Sequence, residues 1–161
     1  MPSQNVIRIC STILNGHLSK FGKPRTSKGL ATLCAKIADS KLAHDILIMN
    51  LSEIDTAPSD FFVICTCDSD VQVDAVVNAI NRTIREFGFA RPAMEGMNSK
   101  EWVILDFFDV VCHVMISQSR NYYKLEKLWG DAAFMKMNDD GELRALKKAD
   151  LLSVIREKVL D

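Results

Sequence analysis

Two cysteines that stand one residue apart, Cys65 and Cys67, are the first candidates for metal or redox chemistry. On a strand such residues point to one face, but the pair lacks the turn that brings two thiolates onto one ion. The other cysteines, Cys10, Cys34 and Cys112, also sit in apolar runs, and the total of five is odd. This pattern favours buried, reduced thiols over a metal site or a disulfide framework.

Carboxylates next to a strand end are candidates for holding the metal ions of a nucleotidyl transfer. Asp68 and Asp70 precede a predicted helix at the place where α/β folds often bind phosphate. Their negative charge repels an anion, and no glycine accompanies them. The neighbouring pair, Glu53 and Asp55, falls in a predicted loop, whereas a nucleotidyltransferase places paired carboxylates on a strand. These residues predict that the protein is not an enzyme and holds no metal ion or other cofactor.

His113 is the histidine with the most strongly patterned surroundings, because it alternates with Val111 and Met115 along a predicted strand. A histidine that activates a nucleophile needs a nearby serine or cysteine and an acid that orients its ring. The local sequence offers no such partners. We interpret His113 as a structural histidine that is held by a hydrogen bond.

The periodicity of apolar residues predicts the helices and strands that position these side chains. Ser69 and Gln72 are in capping-box register at the start of the longest predicted helix, and Gly88 is placed to end it. Helices are predicted over residues 28–41, 70–87 and 120–134 and, capped by Asp150, near the C-terminus. Strands are predicted over residues 45–51, 61–66, 94–96, 101–107 and 109–116, and the last two are predicted to pair as a β-hairpin. This order predicts an α/β fold in which a mixed β-sheet of about five strands is flanked by helices.

Charge is distributed unevenly along a chain whose net charge is only −1. Residues 1–28 carry +5 and the remainder −6, so the whole molecule has no global attraction for nucleic acid. The basic start is typical of an organellar transit peptide, of an arm that contacts ribosomal RNA or of a segment without a role. No apolar run reaches the ~20 residues of a membrane-spanning helix, so no membrane contact is expected. We divide the chain into a flexible basic segment (1–28), an α/β domain (29–134) and a C-terminal extension with a helix (135–161).

Both tryptophans and both tyrosines of the chain fall between residues 102 and 129. Such side chains bury a large area with little loss of rotamer freedom, so they form either a core or a protein-binding surface. Helical spacing places Tyr122, Leu125 and Leu128 on one stripe, which predicts that these three pack on the sheet. Trp102 lies near the start of a strand and Tyr123 beside the stripe, so these two are the better candidates for a contact surface.

One block is especially specific: Arg120-x-x-Tyr123-x-Leu125-Glu126-x-Leu128-Trp129. It is preceded along the chain by Asp45-Ile46, Ser59-Asp60-Phe61-Phe62-Val63-Ile64, Ser69, Glu95-Gly96, Trp102-Val103-Ile104-Leu105-Asp106 and Asp109-Val110-Val111-Cys112-His113-Val114. In this order and spacing, the residues from about Leu30 to Trp129 resemble the ribosomal silencing factor (Iojap-like) family. Two positions depart from the family pattern. Phe108 stands where the family usually has glycine, and Thr66-Cys67-Asp68-Ser69 replaces a Thr-Gly-Thr-Ser-like segment.

The resemblance implies a non-enzymatic translation factor with a fold like that of nucleotidyltransferases but without their catalytic residues. Such a factor binds the large ribosomal subunit at its intersubunit face through ribosomal protein L14 (uL14). Bound there, it blocks subunit association and represses translation, and organellar relatives aid large-subunit biogenesis. A cytoplasmic location is expected, with the mitochondrial or plastid matrix as the alternative, and a homodimer is a further expectation for the free protein.

The partner-binding residues that we expect combine aromatic anchors with charges at the rim of the contact. They are Trp102, Asp106, Arg120, Tyr123, Glu126 and Trp129. Arg120 and Glu126 are expected to be free to pair with charges of the partner. Two alternatives remain: a nucleotidyltransferase-type enzyme, suggested by fold analogy, and a generic RNA- or protein-binding module that acts through the basic segment.

Overall fold

A computed structural model describes residues 21–151. The predictions for most of the basic segment and for most of the C-terminal helix therefore concern residues 1–20 and 152–161, which lie outside the described part. The helices are α1 (Ser27–Ser40), α2 (Asp70–Glu86), α3 (Ser117–Tyr123) and α4 (Leu125–Leu128). The strands are β1 (His44–Asn50), β2 (Phe61–Cys67), β3 (Ala93–Glu95), β4 (Trp102–Asp106), β5 (Val110–Ile116), β6 (Ala133–Met137) and β7 (Leu143–Ala145). The predicted α/β class is confirmed.

The strands form one mixed sheet in the order β3-β4-β5-β2-β1-β6-β7. β2 runs parallel to β5, and every other neighbouring pair is antiparallel. The central strand β2 is buried along its whole length, which explains why its sequence is apolar without alternation. The expectation of about five strands is wrong, because β6 and β7 extend the sheet beyond β1 to a total of seven.

The two extra strands arise where the sequence predicted a helix and a separate extension. The helix expected over 120–134 ends at Leu128, and the chain turns into β6, which pairs with β1. The boundary expected at residue 134 therefore falls inside a strand of the sheet. Residues 148–151 form a helical turn, so Asp150 lies within that turn rather than before it as its cap.

The core has two layers, one on each face of the sheet. Helices α1 and α2 cover one face and pack against residues such as Ile48, Val63 and Cys112. The other face carries a second apolar cluster that includes Phe62, Met115, Leu125 and Phe134. This second layer is covered in part by α4 and by the segment that follows it, because Leu125 and Trp129 both belong to the cluster.

The ends of α2 confirm most of the predicted capping. The Ser69 hydroxyl accepts the backbone N–H of Gln72 at 3.1 Å, and Gly88 takes the left-handed conformation at φ = 80°. The Gln72 side chain reaches one residue further back than a capping box requires and accepts the N–H of Asp68 at 2.7 Å. It also donates to the carbonyl of Lys41, which ties the start of α2 to the end of α1.

The cysteines within the described residues are buried, as predicted, and none of them forms a disulfide there; they are Cys34, Cys65, Cys67 and Cys112. A hydrogen bond with Cys67, together with burial, raises the pKa of the Cys65 thiol. The thiol form of Cys65 is therefore the stable one inside the core. Cys10 lies outside the described residues.

Candidate partner-binding surface

The surface is shaped by a sharp break between two short helices. Lys124 adopts the left-handed conformation (φ = 48°), which ends α3 and starts α4. A lysine in this region of backbone space is uncommon, and the sequence gives no glycine or asparagine signal for it. The break rotates α4 relative to α3, so side chains at helical spacing do not share one stripe. Leu125 is buried as predicted, whereas Tyr122 and Leu128 are 78% and 70% exposed, and the prediction that they pack on the sheet is wrong.

Arg120 and Glu126 lie inside the protein, where the sequence predicted exposed rim charges; that expectation is wrong. Only 2% of Arg120 and 4% of Glu126 is exposed. The Arg120 Nε donates to the Glu126 carboxylate at 2.5 Å, and its Nη1 donates to the Thr66 hydroxyl on β2 at 3.0 Å. The pair joins α3 to α4 across the break at Lys124 and fastens both to the central strand. The pair thereby fixes the orientation of α3, and of the side chains that it carries, relative to the sheet.

Three aromatic rings next to this pair form a contiguous group, which we call the aromatic patch: Trp102, Tyr122 and Tyr123. The ring centroids of Trp102 and Tyr123 are 4.6 Å apart, and those of Tyr122 and Tyr123 are 5.0 Å apart in an edge-to-face arrangement. Tyr123 is 51% exposed, and Trp102 is half-buried. The rings therefore hold each other in place while they present apolar area to solvent, which is the character of a protein-binding hot spot.

His113 holds the tryptophan of the patch from below. The indole N–H of Trp102 donates to His113 Nδ1 at 3.1 Å, which confirms the structural interpretation of this histidine. Burial, and then the nearby positive charge of Arg120, lower the pKa of His113 to about 4. The imidazole is therefore neutral near pH 7, and its Nδ1 can accept the hydrogen bond from the indole N–H. Sequence reasoning missed this link, although β4 and β5 were predicted to pair.

The remaining predicted site residues lie apart from the exposed rings. Trp129 is half-buried and packs edge-on against Phe62 of the second core layer, with centroids 6.1 Å apart. Asp106 is exposed at the opposite end of β4, about 13 Å along the strand from Trp102. Its carboxylate accepts the backbone N–H of Phe108 at 2.8 Å, which is the ordinary role of an aspartate in a turn.

The loop before α2 is the place where an α/β enzyme would bind phosphate, and here it is engaged in contacts of its own. The carboxylate of Asp68 lies 2.9 Å from His44 Nε2, and the Ser69 hydroxyl caps the helix. Within residues 21–151, no cluster of three or more histidine, cysteine, aspartate or glutamate side chains has the geometry to hold a metal ion. The helices of this described part also include none that is long and apolar enough to cross a bilayer.

Comparison with known proteins gives a consistent result. The model of the family described as "Ribosomal silencing factor during starvation" matches residues 24–154. The ribosomal silencing factor of Bacillus subtilis is 41% identical over 105 residues, which cover 65% of this chain and 88% of that protein. The chloroplastic Iojap protein of Zea mays is 33% identical over 110 residues, which cover 68% of this chain and 47% of that protein.

A crystal structure of a protein from Chromobacterium violaceum has the same fold. It superposes with a TM-score of 0.62 at 32% identity and covers 66% of this chain and 88% of that one. At this identity the likeness extends from fold to ancestry. The matched family model, the identity to these relatives and the shared fold together show that the chain belongs to the ribosomal silencing factor family.

Proposed function

We propose that this protein is a translation repressor that docks on the large ribosomal subunit through its aromatic patch. The docking partner is ribosomal protein L14 (uL14) at the intersubunit face. The observation that carries the proposal is the contiguous group formed by the exposed Tyr122 and Tyr123 and the half-buried Trp102, in a member of a family named for ribosome silencing. Large aromatic side chains at such positions supply most of the free energy of protein–protein binding.

The geometry of the patch suits tight docking because its rings are ordered before the partner arrives. Trp102 is fixed by the hydrogen bond to His113 and by the ring of Tyr123. A side chain that is already ordered loses little rotamer entropy on binding, so more of the contact free energy appears as affinity. Leu128, exposed on the neighbouring helix α4, offers further apolar area beyond the patch.

Arg120 and Glu126 support this surface without touching the partner. Their buried ion pair and the bond to Thr66 set the angle of α3 against the sheet, and α3 carries both tyrosines. We infer that the strongly patterned block from Arg120 to Trp129 combines two tasks. Its charged members position the block, while Tyr123 and its exposed neighbours bind.

Repression by such a protein requires occupancy and no bond-making chemistry. A ligand that binds only the free large subunit shifts the subunit-joining equilibrium toward separated subunits by mass action. We therefore infer that the protein acts as an inert obstacle, in the compartment that contains its ribosomes. This is the bacterial cytoplasm or, in the alternative case, an organellar matrix.

A sucrose-gradient profile of purified subunits with and without the protein tests this function. We expect added protein to migrate with the large subunit and to lower the fraction of joined ribosomes. Tyr123→Ala should weaken binding to the large subunit and to isolated L14 by about 2 kcal/mol, the loss typical of a hot-spot residue.

Phe108→Ala is the matched control, because Phe108 is an exposed aromatic outside the patch. Circular dichroism melting should show that both variants remain folded. Unchanged joining of subunits in the presence of excess protein would contradict the proposed function. Unchanged affinity of a folded Tyr123→Ala protein would remove the patch from the interface.

A further inference from the structure

A second surface, which is polar, lies on the side of the sheet opposite to the aromatic patch. The C-terminal half of α2 and the segment after it enclose an open cleft of about 490 Å³. Its functional groups are those of Asn78, Asn81, Arg82, Arg85, Phe89 and Arg91. Helix α2 packs on the first core layer, whereas Trp102 packs on the second, so the cleft and the patch face away from each other.

The cleft concentrates positive charge in a chain that is otherwise slightly acidic. Arg82, Arg85 and Arg91 are exposed, and none of them forms an ion pair with another of the described residues. Lys23 adds a fourth cation, since its Nζ lies 5.2 Å from the centroid of the Phe89 ring. The acidic neighbour on the same turn of α2 is Glu86, which is half-buried.

The polar groups of the cleft form a line. Asn78, Arg82 and Arg85 follow one another at i, i+4 and i+7 on α2, so they extend over about 10 Å along the helix axis. This length exceeds a single bound anion and suits consecutive anionic groups of a chain. A guanidinium fork matches two oxygens of a phosphodiester, and an asparagine amide both donates to and accepts from ribose hydroxyls.

We propose that this cleft binds the sugar–phosphate backbone of RNA, with Arg82, Arg85 and Arg91 on the phosphates and Phe89 as an apolar wall for a ribose or base. Basic grooves that include an aromatic side chain bind single strands in this way. The choice of RNA over DNA rests on the proposed function, whose partner is a ribosomal subunit. The protein then has a protein-binding side and an RNA-binding side.

Fluorescence anisotropy of the full-length protein with a labelled single-stranded RNA of about 12 nucleotides tests the cleft. We expect the triple variant Arg82→Ala/Arg85→Ala/Arg91→Ala to bind at least about tenfold more weakly than the unaltered chain, and the slope of log affinity against log salt concentration to fall by about two units. The control, Arg144→Ala/Lys147→Ala/Lys148→Ala, removes the same charge from exposed positions outside the cleft and should leave most of the affinity.

Several results would overturn the proposal. They are an absence of RNA binding at micromolar protein, an equal loss of affinity in the control, and full retention of affinity in the cleft variant. Displacement of the RNA by inorganic phosphate or a nucleoside monophosphate at equal molar concentration would show a small-anion site instead. Equal affinity for a DNA strand of the same length would overturn the assignment to RNA.

The two proposed binding activities can be tested separately in these assays. Tyr123→Ala should keep its affinity for the RNA strand, and the cleft variant should keep its affinity for isolated L14. Loss of both activities in one folded variant would contradict the separation of the two surfaces.

Discussion

Arg120 and Glu126 carry opposite charges at positions that water scarcely reaches. Removal of two ions from water costs free energy, which their mutual attraction and the bond to Thr66 must offset. The consequence is an asymmetry between single and double substitutions. Loss of one partner leaves an uncompensated buried charge, whereas loss of both leaves an apolar site.

We expect Arg120→Met alone to lower the free energy of unfolding by about 3–5 kcal/mol. The double variant Arg120→Met/Glu126→Leu should recover most of this loss, because no isolated charge remains. Urea denaturation monitored by circular dichroism measures both values. A double variant that is no more stable than Arg120→Met would contradict this account.

His113 makes the stability of the fold depend on pH. Its pKa is lowered from 6.5 to about 4 in the folded protein, by burial first and by Arg120 second. Between these two values the unfolded chain binds a proton that the folded chain refuses, so stability is lost as the pH falls. We expect the free energy of unfolding to decrease by up to roughly 3 kcal/mol across this window.

The matched variant for this effect is His113→Asn, which keeps an acceptor for the Trp102 indole but cannot take up a proton. Its free energy of unfolding should vary much less than that of the unaltered chain between about pH 5 and pH 6.5, a range above the carboxylate pKa values. Urea denaturation at several pH values provides the comparison. An equal slope in both proteins would assign the pH dependence to other groups.

Strands and long helices of this protein follow directly from the pattern of apolar residues, and the short turns do not. α1, α2 and the pairing of β4 with β5 match the sequence prediction closely, because one buried face fixes each of them. The break at Lys124 has no local signal, because no glycine or asparagine stands there, and the Arg120–Glu126 pair that spans it joins residues six positions apart. The exposure of Tyr122 and Leu128 follows from that break. The sequence therefore indicated Trp102 and Tyr123 as surface candidates but not Tyr122 and Leu128.

The turn between β4 and β5 contains another residue in a strained, left-handed backbone conformation. Phe108 sits at φ = 77°, and the N–H of Asp109 donates to the carbonyl of Phe107, which is the pattern of a strained γ-turn. Its side chain is 85% exposed and gains little from packing. Glycine, which the family resemblance leads one to expect here, adopts this conformation without steric cost.

We therefore expect Phe108→Gly to raise the free energy of unfolding by about 1 kcal/mol, through relief of backbone strain. Phe108→Ala is the control, because alanine retains the Cβ atom and the strain while it removes the ring. Thermal and urea denaturation of the three proteins measure the difference. An alanine variant as stable as the glycine variant would show that the exposed ring, rather than the backbone, sets the cost.

At the scale of the whole molecule, the fold separates two faces with different chemistry. The long helices α1 and α2 and the exposed arginines occupy one side of the sheet, and the aromatic patch with the short helices α3 and α4 occupies the other. The sequence indicates the sheet and its class but not its full width. Strands β6 and β7 are short, and their sequences lack a clear alternating pattern, so their membership depends on the open edge of β1.

The edge of β1 that β6 covers leads to a prediction about a C-terminally truncated chain. A chain that ends at Gly130 lacks β6 and β7, and it exposes the hydrogen-bonding groups of β1 together with the apolar surface that Phe134 covers. Unpaired sheet edges associate with each other, so we expect this chain to form oligomers and to melt at a lower temperature. Size-exclusion chromatography with light scattering measures the association. The control ends at Lys147 and keeps both strands; a monomeric, equally stable Gly130 truncation would contradict the prediction.

The two indole groups of the chain belong to the same side of the sheet, Trp102 in the patch and Trp129 apart from it in the second core layer. Trp102 is half-buried and its ring lies tilted against that of Tyr123, whereas Trp129 packs against Phe62. A protein that covers the patch removes solvent from Trp102 and moves its emission to shorter wavelength, while Trp129 supplies a steady background. Intrinsic tryptophan fluorescence should therefore report binding at the patch without an attached dye. Binding at the arginine cleft alone should leave this emission unchanged.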